Sequence, residues 1–321
     1  MKRRVATVLL ATALTVAGCG VSATPPPSIS LGPAIVRPAG AEEVTAPPQA
    51  PVADCDVEAS LRPGTQPPPG DMPPESTMAK IQERGRLIVG VDQNTFMSGF
   101  RDPATGELAG FDIDLAREIA QKIFGDPDKI VLQVVDAGQR ESALKSGQVD
   151  LIVRTFSITC ARKENVDFST VYLYAKQRIL VPKKSRIDSA ASLSGKRVCA
   201  VTGTTSLIRL YELKPKPNLV EVPSWTDCLV MLQQAQVDAI STDDVVLLGL
   251  AKQDPSLRVV GDSLGIEPYG VGVAKGKEDL VRFVNGVLAQ MRADGTWERL
   301  YSTWYSSLGP SPGPPEPRYQ D

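Results

Sequence analysis

The sequence predicts an α/β fold of two similar lobes, each a mostly parallel sheet flanked by helices, joined by a two-strand hinge. One observation is a repeat: residues 146–155 and 234–243 both place Val-Asp before a short apolar strand that ends in polar residues. A second is that strand and helix patterns alternate in both halves, which implies parallel sheets. Because such sheets bind ligands at the carboxyl ends of their strands, two facing sheets predict a small molecule held between the lobes.

The N-terminus is predicted to be a lipoprotein signal peptide over residues 1–18. Basic residues at 2–4 precede an apolar stretch that is too short to remain as a membrane-spanning helix. The stretch ends in Ala17 and Gly18 before Cys19, which resembles the lipobox of bacterial lipoproteins. The resemblance implies cleavage before Cys19 and acylation of its thiol, so that a lipid anchors the protein to the cell membrane on the extracytoplasmic, periplasmic side. The alternative is an ordinary signal peptide with an incidental cysteine.

Two proline-rich segments flank the predicted folded part. Residues 19–78 are rich in Pro, Ala, Gly, Ser and Thr and hold too little apolar surface to fold alone. We therefore expect a membrane-proximal spacer, partly stiffened by proline. The run at 309–321 is predicted to be a similar tail.

The first lobe is predicted to comprise residues 79–175 and 268–308. Residues 86–91 are nearly continuously apolar, as expected of a strand covered on both faces. Residues 113–123 keep their apolar side chains at helical spacing. The further elements predicted here are strands at 131–135 and 149–154 and helices at 139–147 and within 277–307.

The second lobe is predicted to comprise residues 176–267. Its predicted elements are strands at 196–201, 218–222, 237–242 and 257–261 and helices after 202–206, at 226–235 and at 244–252. The chain is expected to cross between lobes near 175–182 and again near 262–268, and two such crossings form a natural hinge.

Four cysteines besides Cys19 predict two disulfides, since an even number is typical of exported chains. Three pairings are possible. Cys199 lies on an apolar strand and Cys228 on the next helix, both in the second lobe, so we expect them to pair. Cys55 is then left for Cys160, which would pin the N-terminal extension to the first lobe.

Composition excludes several functions. The 321 residues carry 35 Lys and Arg against 37 Asp and Glu, a balance that does not fit a nucleic-acid binder. The chain contains no histidine, which removes His-based triads, His general bases and His metal ligands. No CxxC spacing occurs, so zinc is not expected. We expect neither a cofactor nor a metal.

A polar motif follows the strand at 149–154. Hydroxyls at Ser157 and Thr159 are followed by Arg162, whose planar guanidinium suits a carboxylate. The alternative is a surface arginine that caps a short helix. With Asp167-Phe168-Ser169, the motif resembles family 3 of the bacterial extracellular solute-binding proteins, the glutamine- and glutamate-binding type. The resemblance covers about residues 80–307, with further matches at 110–114, 202–206, 238–239, 269–270 and 294–297.

This resemblance implies a two-lobe, periplasmic-binding-protein-like fold of type II. In the first lobe, Arg162 would grip the ligand's α-carboxylate, with hydrogen bonds from Ser157 and from the backbone of Thr155. The aromatic residue that the family usually has after its second strand is missing, because Asp136-Ala137-Gly138 occupies that place.

In the second lobe, the resemblance implies three ligand residues. Thr204 and Thr205 would sit at a helix N-terminus, where free N–H groups favour an anion. Thr204 could instead be a plain helix cap. Asp243 matches the acid that holds the α-ammonium, its alternative role being the N-cap of the following helix, which Asp244 could also supply.

Two arginines predict an acidic side chain on the ligand. Arg101 lies in the first loop and Arg154 ends the strand beside the site, so either could pair with a side-chain carboxylate. Neutral glutamine would leave such a buried cation unpaired, which is costly. The sequence therefore favours glutamate or aspartate over glutamine or asparagine. The alternative is that both arginines face solvent or bridge the lobes.

The implied function is capture of a polar or acidic L-amino acid by a monomer and its delivery to the permease of an ABC transporter, without chemistry. One alternative is an amino-acid sensor that works with a signalling membrane protein. The other is a dehydratase on the same fold, for which only Asp243 or a glutamate could serve as general acid or base.

Overall fold

The computed structural model describes residues 36–48 and 54–321. The predicted signal peptide and Cys19 lie outside these residues. The strands are β1 (Glu42–Glu43), β2 (Ala59–Ser60), β3 (Leu87–Val91), β4 (Asn94–Thr95), β5 (Gly99–Arg101), β6 (Leu108–Ala109), β7 (Ile130–Val134), β8 (Leu151–Ile152), β9 (Val166–Phe168), β10 (Leu173–Pro182), β11 (Arg197–Val201), β12 (Asn218–Val222), β13 (Ala239–Asp243), β14 (Leu257–Tyr269), β15 (Gly272–Ala274) and β16 (Arg318–Tyr319).

The helices alternate with these strands through both lobes. They are α1 (Thr77–Glu83), α2 (Phe111–Phe124), α3 (Arg140–Lys145), α4 (Cys160–Asn165), α5 (Thr205–Glu212), α6 (Trp225–Gln233), α7 (Asp244–Gln253), α8 (Glu278–Ala293) and α9 (Thr296–Tyr305). Short 3-10 turns occur at Ala137–Gln139, Ala191–Leu193 and Ser306–Leu308. Among the described residues, no helix combines the length and the apolar character needed to cross a bilayer.

The first lobe is built on a five-stranded sheet in the order β7-β3-β8-β15-β9. Strand β3 runs parallel to β7 and β8, whereas β15 pairs antiparallel with β8 and β9. The apolar stretch predicted to be covered on both faces is β3, whose Leu87, Val89 and Val91 are fully buried. Helix α2 lies against β3, and helices α8 and α9 close the lobe, with Tyr305 stacked on Phe111.

The second lobe is built on a six-stranded sheet in the order β1-β12-β11-β13-β10-β14. Strand β11 is parallel to β12 and β13, and the carboxyl ends of β11 and β13 lead into the starts of α5 and α7. Both sheets lie within one unit, Arg37–Asp321.

Two long strands connect the lobes. Strands β10 and β14 pair antiparallel from Leu173 opposite Tyr269 to Pro182 opposite Leu257. The strand predicted at 257–261 and the crossing predicted at 262–268 belong to one strand, β14, which pairs with β10 on both sides of an irregularity at residues 261–264. The predicted α/β class and the two-strand connection are confirmed. The sheets, which were expected to be mostly parallel, are mixed, because β15 in the first lobe and β1, β10 and β14 in the second pair antiparallel with their neighbours.

The predicted spacer is not a free chain in its described parts. Strand β1 pairs antiparallel with β12, an arrangement that covers this edge of the second sheet, and the Val44 N–H donates to the Leu219 carbonyl at 3.0 Å. Strand β2 pairs parallel with β16 of the predicted tail, so the tail is also held. The low apolar content of these segments is the reason for expecting a spacer and a tail. It does not prevent backbone pairing with a neighbouring sheet.

The structure contains both disulfides in the predicted pairing. Cys199–Cys228 ties β11 to α6, and Cys55–Cys160 ties the N-terminal extension to α4. Lys163 adds to the second connection, since its Nζ donates to the carbonyls of Asp56 and Ala59 at 2.6 and 2.7 Å.

Candidate functional site

The two lobes enclose a polar cleft at the carboxyl ends of β8, β11 and β13. The first lobe contributes Arg140, Arg154, Thr155, Ser157 and Arg162. The second lobe contributes Thr204, Thr205, Ser206, Trp225, Thr242 and Asp243. Every ligand-binding residue expected from the sequence lines this cleft except Arg101. Their roles toward a ligand stay predictions.

Arg162 lies at the first-lobe wall of the cleft and is buried. Thr159 is the N-cap of α4, and its hydroxyl accepts the Arg162 backbone N–H, which fixes where the side chain starts. The guanidinium donates to the Ser157 carbonyl at 2.5 Å and to the Gly203 carbonyl at 2.9 Å. Burial lowers the pKa of Arg162. None of the ion pairs in the described part of the chain involves Arg162.

Arg154 lines the cleft but already has a counter-ion. Its Nη2 lies 3.2 Å from an Asp92 carboxylate oxygen, and both side chains are only 5% exposed. Asp92 follows β3 directly, at the same sheet edge as Arg154, and sequence reasoning missed it. Its position after a buried strand was the signal that could have found it.

The prediction that Arg101 faces the cleft is wrong. Arg101 is exposed and belongs to a small three-stranded sheet of β4, β5 and β6. Its guanidinium donates to the Gly106 carbonyl at 2.7 Å and to the Gln93 side chain at 3.4 Å. The acceptors of its own hairpin therefore hold it away from the site.

Arg140 is a cleft residue that sequence reasoning missed. It is 3% exposed, and its guanidinium lies 4.4 Å from the centre of the Phe156 ring. It donates to the Arg154 and Thr155 carbonyls at 3.3 Å each and to the Gly203 carbonyl at 3.1 Å. Burial, together with the neighbouring arginines, lowers its pKa well below the ordinary value. The available signal was its place at the start of α3, just beyond the carboxyl end of β7.

Gly203 is where the two lobes meet, because its carbonyl accepts from both Arg140 and Arg162. Its φ of +73° lies in the left-handed region that glycine tolerates. A Cβ at this position would come within 2.6 Å of the Gly138 Cα. The close approach of the lobes therefore depends on glycine at position 203.

Thr204 and Thr205 open α5 in the second lobe but differ in role. The Thr204 hydroxyl accepts the Leu207 N–H at 3.3 Å and donates to the Val201 carbonyl at 2.6 Å, so it caps the helix. The Thr205 hydroxyl donates to Glu267 at 2.7 Å and lies 3.4 Å from the Ser157 hydroxyl of the first lobe. The cap explains Thr204 without a ligand, whereas Thr205 points across the cleft.

Asp243 ends β13 and is 5% exposed. One carboxylate oxygen accepts from the Tyr269 hydroxyl, and the other is buried without a hydrogen-bond partner among the described residues. Burial and the nearby charge of Glu267 raise the pKa of Asp243 to about 8. Asp243 makes no side-chain capping bond to α7, while Asp244 accepts the Val245 N–H at 3.0 Å. The free oxygen is a feature that an N-cap role does not explain.

The model of the bacterial extracellular solute-binding proteins, family 3, matches residues 87–307. The chain belongs to this family. The glutamine-binding protein GlnH of Bacillus subtilis is 36% identical over 231 residues, which is 72% of this chain and 85% of the relative. The glutamate-binding protein GluB of Corynebacterium glutamicum is 32% identical over 230 residues, which is 68% of this chain and 78% of the relative.

A solved structure of an amino-acid receptor supports the assignment of this chain to family 3. The solute receptor for L-cysteine of Neisseria gonorrhoeae superposes with a TM-score of 0.71 at 29% identity, covering 75% of this chain and all of that one. The resemblance inferred from the sequence is thereby confirmed. All the cleft residues lie within the family match, whereas β1, β2, Cys55 and β16 lie outside it.

Proposed function

We propose that this family-3 protein captures an L-amino acid in the cleft outside the membrane and delivers it to the permease of an ABC transporter. One observation carries the proposal: among the described residues, the buried Arg162 guanidinium of the cleft has no carboxylate partner, and one oxygen of the buried Asp243 carboxylate has no hydrogen-bond partner. An amino acid offers the complementary groups, an α-carboxylate and an α-ammonium. The names of the bacillar and corynebacterial relatives support an amino acid as the ligand class.

The two ends of the ligand would be bound by different chemistry. Arg162 presents a planar fork of donors that matches a carboxylate, and the Phe156 ring 4.8 Å from it keeps the fork in place. The free Asp243 oxygen would accept from the ammonium. Because a nearby cation favours the ionised carboxylate, ligand binding should lower the raised pKa of Asp243 and release a proton.

We propose further that the ligand side chain is acidic and that Arg140 holds it. Arg101 lies outside the cleft and Arg154 is already paired with Asp92, so neither is a free cation for the ligand. Arg140 is buried in the cleft wall, and its bonds go to main-chain carbonyls rather than to a carboxylate. A neutral side chain would leave this charge buried without a counter-ion, which is costly. Glutamate or aspartate is therefore preferred over glutamine or asparagine.

We propose that the protein works as a monomer held to the outer face of the cell membrane through an acylated Cys19. The basic and apolar segments before Ala17-Gly18-Cys19 support signal cleavage at this cysteine. Mass spectrometry of the membrane fraction tests this proposal. An N-terminal peptide that begins at an acylated Cys19 is expected, and a peptide that begins elsewhere without acyl chains contradicts it.

A thermal-shift screen of the twenty L-amino acids tests the ligand class. A ligand at a hundred times its dissociation constant should stabilise the protein by about 2.7 kcal/mol. We expect the largest shifts with L-glutamate and L-aspartate, and much smaller shifts with 4-aminobutyrate and β-alanine, which lack the α-carboxylate assigned to Arg162. Absence of a shift with every amino acid would contradict the proposal.

A further inference from the structure

Thr155 has an unusual backbone conformation for its residue type. Its φ is +39°, in the left-handed region, which a β-branched residue rarely adopts. Such conformations persist only where the surroundings hold them, and they concentrate at ligand sites. Thr155 lies in the cleft wall between Arg154 and Phe156, so something must keep this turn in place.

The group that holds Thr155 is the carboxylate of Asp112, on the first turn of α2. One Asp112 oxygen accepts the Thr155 N–H at 2.8 Å, and the other accepts the Tyr172 hydroxyl at 2.9 Å. Asp112 is 1% exposed and does not line the cleft. Burial raises its pKa to about 7, while the two hydrogen bonds it accepts favour the ionised form.

The turn that Asp112 holds also positions Arg140 and Arg162, the two cleft arginines that have no carboxylate partner among the described residues. The carbonyls of Arg154 and Thr155 accept from the Arg140 guanidinium. Two residues further on, the Ser157 carbonyl accepts from Arg162. A shift of this turn would therefore move the acceptors that orient both guanidiniums.

The second partner of Asp112 connects the same carboxylate to the hinge. Tyr172 immediately precedes β10, and its N–H donates to the Tyr269 carbonyl at 2.9 Å, at the end of β14. The Tyr269 hydroxyl in turn donates to Asp243. Asp112 is thus hydrogen-bonded both to the cleft turn and to the residue that begins the connection between the lobes.

We propose that Asp112 is a positioning residue for ligand binding, which fixes the left-handed turn at Thr155 and thereby aims Arg140 and Arg162 into the cleft. This inference rests on the proposed function for its ligand. The role requires an oxygen that accepts the Thr155 N–H. Asparagine can supply it, because its amide oxygen can accept that bond while its NH₂ donates to the Tyr172 oxygen. Leucine has a similar shape and supplies no acceptor.

The turn can be tested without any ligand. In the ligand-free wild-type protein, we expect the Thr155 amide proton to be shifted downfield by its carboxylate acceptor and protected from hydrogen exchange. The downfield shift should be lost in Asp112→Leu and largely kept in Asp112→Asn and in Tyr172→Phe. Rapid exchange of this amide in the wild type would overturn the proposal even if a variant failed to fold.

Calorimetric titration with L-glutamate and L-glutamine tests the effect on binding. By analogy with outer-shell groups that orient metal ligands, Asp112→Leu should weaken the better-bound probe by about tenfold or more. Asp112→Asn should stay within about threefold of wild type, since the Thr155 bond is kept. Unfolding midpoints are measured alongside, because a structural role alone would lower stability without separating the two variants in affinity.

The outcomes separate this inference from the proposed function. If the wild type binds neither probe and no other amino acid in the thermal-shift screen, the proposed function fails, while the Thr155 amide still reports on the turn. If Asp112→Leu folds and binds as tightly as wild type, Asp112 is not a positioning residue. Equal losses in Asp112→Leu and Asp112→Asn would contradict the hydrogen-bond role assigned to the carboxylate.

Discussion

Replacement of Arg140 by methionine should narrow the preference for an acidic ligand over its amide. Arg140 is 3% exposed and donates only to carbonyls, so its charge is available to the ligand side chain. A hydrogen bond to a charged group contributes about 1.5–3 kcal/mol and a neutral one about 0.5–1.5 kcal/mol. The two ligands should therefore differ at this contact by about 1 kcal/mol or more, which is at least about fivefold in Kd.

The ratio of the two dissociation constants is the quantity to measure. Arg140→Met also removes the bonds to the Arg154 and Thr155 carbonyls, so both ligands should bind more weakly. Titration calorimetry with L-glutamate and L-glutamine on wild type and Arg140→Met gives the ratio for each. Arg101→Met is the matched control, since Arg101 is exposed in its own hairpin. An unchanged ratio in Arg140→Met, or a wild-type preference for glutamine, would refute the reasoning.

Three further predictions follow from other groups. Burial and the charge of Glu267 raise the pKa of Asp243 to about 8, and a bound ammonium favours its ionised form, so affinity should rise with pH up to about 8. Calorimetry in buffers of different ionisation enthalpy should then show that the protein releases a proton on binding, and an affinity of the wild type that does not change with pH would contradict this. Gly203→Ala should weaken ligand binding, because the added Cβ would lie 2.6 Å from the Gly138 Cα. Gly147→Ala is the control, since Gly147 has a similar φ of +71° with open space around it, and this change should lower only the stability. If the two variants bound the ligand equally well, the lobe contact at Gly203 would be contradicted. Peptide mapping of non-reduced protein should link Cys199 to Cys228 and Cys55 to Cys160, and loss of either link should cost about 2–4 kcal/mol of stability; any other linkage contradicts the structure.

The fold was predictable because its signals are local and repeated. The apolar stretch before Asp92 and the two Val-Asp repeats identify buried strands from their own residues. The docking of residues 42–43 and 59–60 was not predictable, because edge pairing depends on which backbone groups a distant strand leaves open. A low apolar content carries no information about such pairing.

The site was predictable where a motif carries its own geometry. Arg162 follows a helix cap at Thr159, and the cap sets the direction of its side chain. The position of Arg101 could not be predicted in this way, because knowing that a residue lies in a loop does not tell which acceptors its side chain will contact. Arg154 is 62 positions from Asp92, and only the adjacency of β3 and β8 shows that the two charges neutralise each other. Arg140 lies in the cleft because its guanidinium reaches main-chain carbonyls of both lobes, and its own sequence segment does not show this.

The central claim is that an amino acid binds between the lobes with its α-carboxylate on Arg162. Titration calorimetry of the best amino acid from the screen, on Arg162→Ala and on Arg101→Ala, tests it most directly. Because one partner of a buried charge pair would be left alone, Arg162→Ala should lose about 3 kcal/mol or more of binding free energy, which is more than about a hundredfold in Kd. Arg101→Ala should bind as wild type does, and both variants should keep the wild-type unfolding midpoint within a few degrees. Near-normal affinity in a folded Arg162→Ala protein would contradict the account.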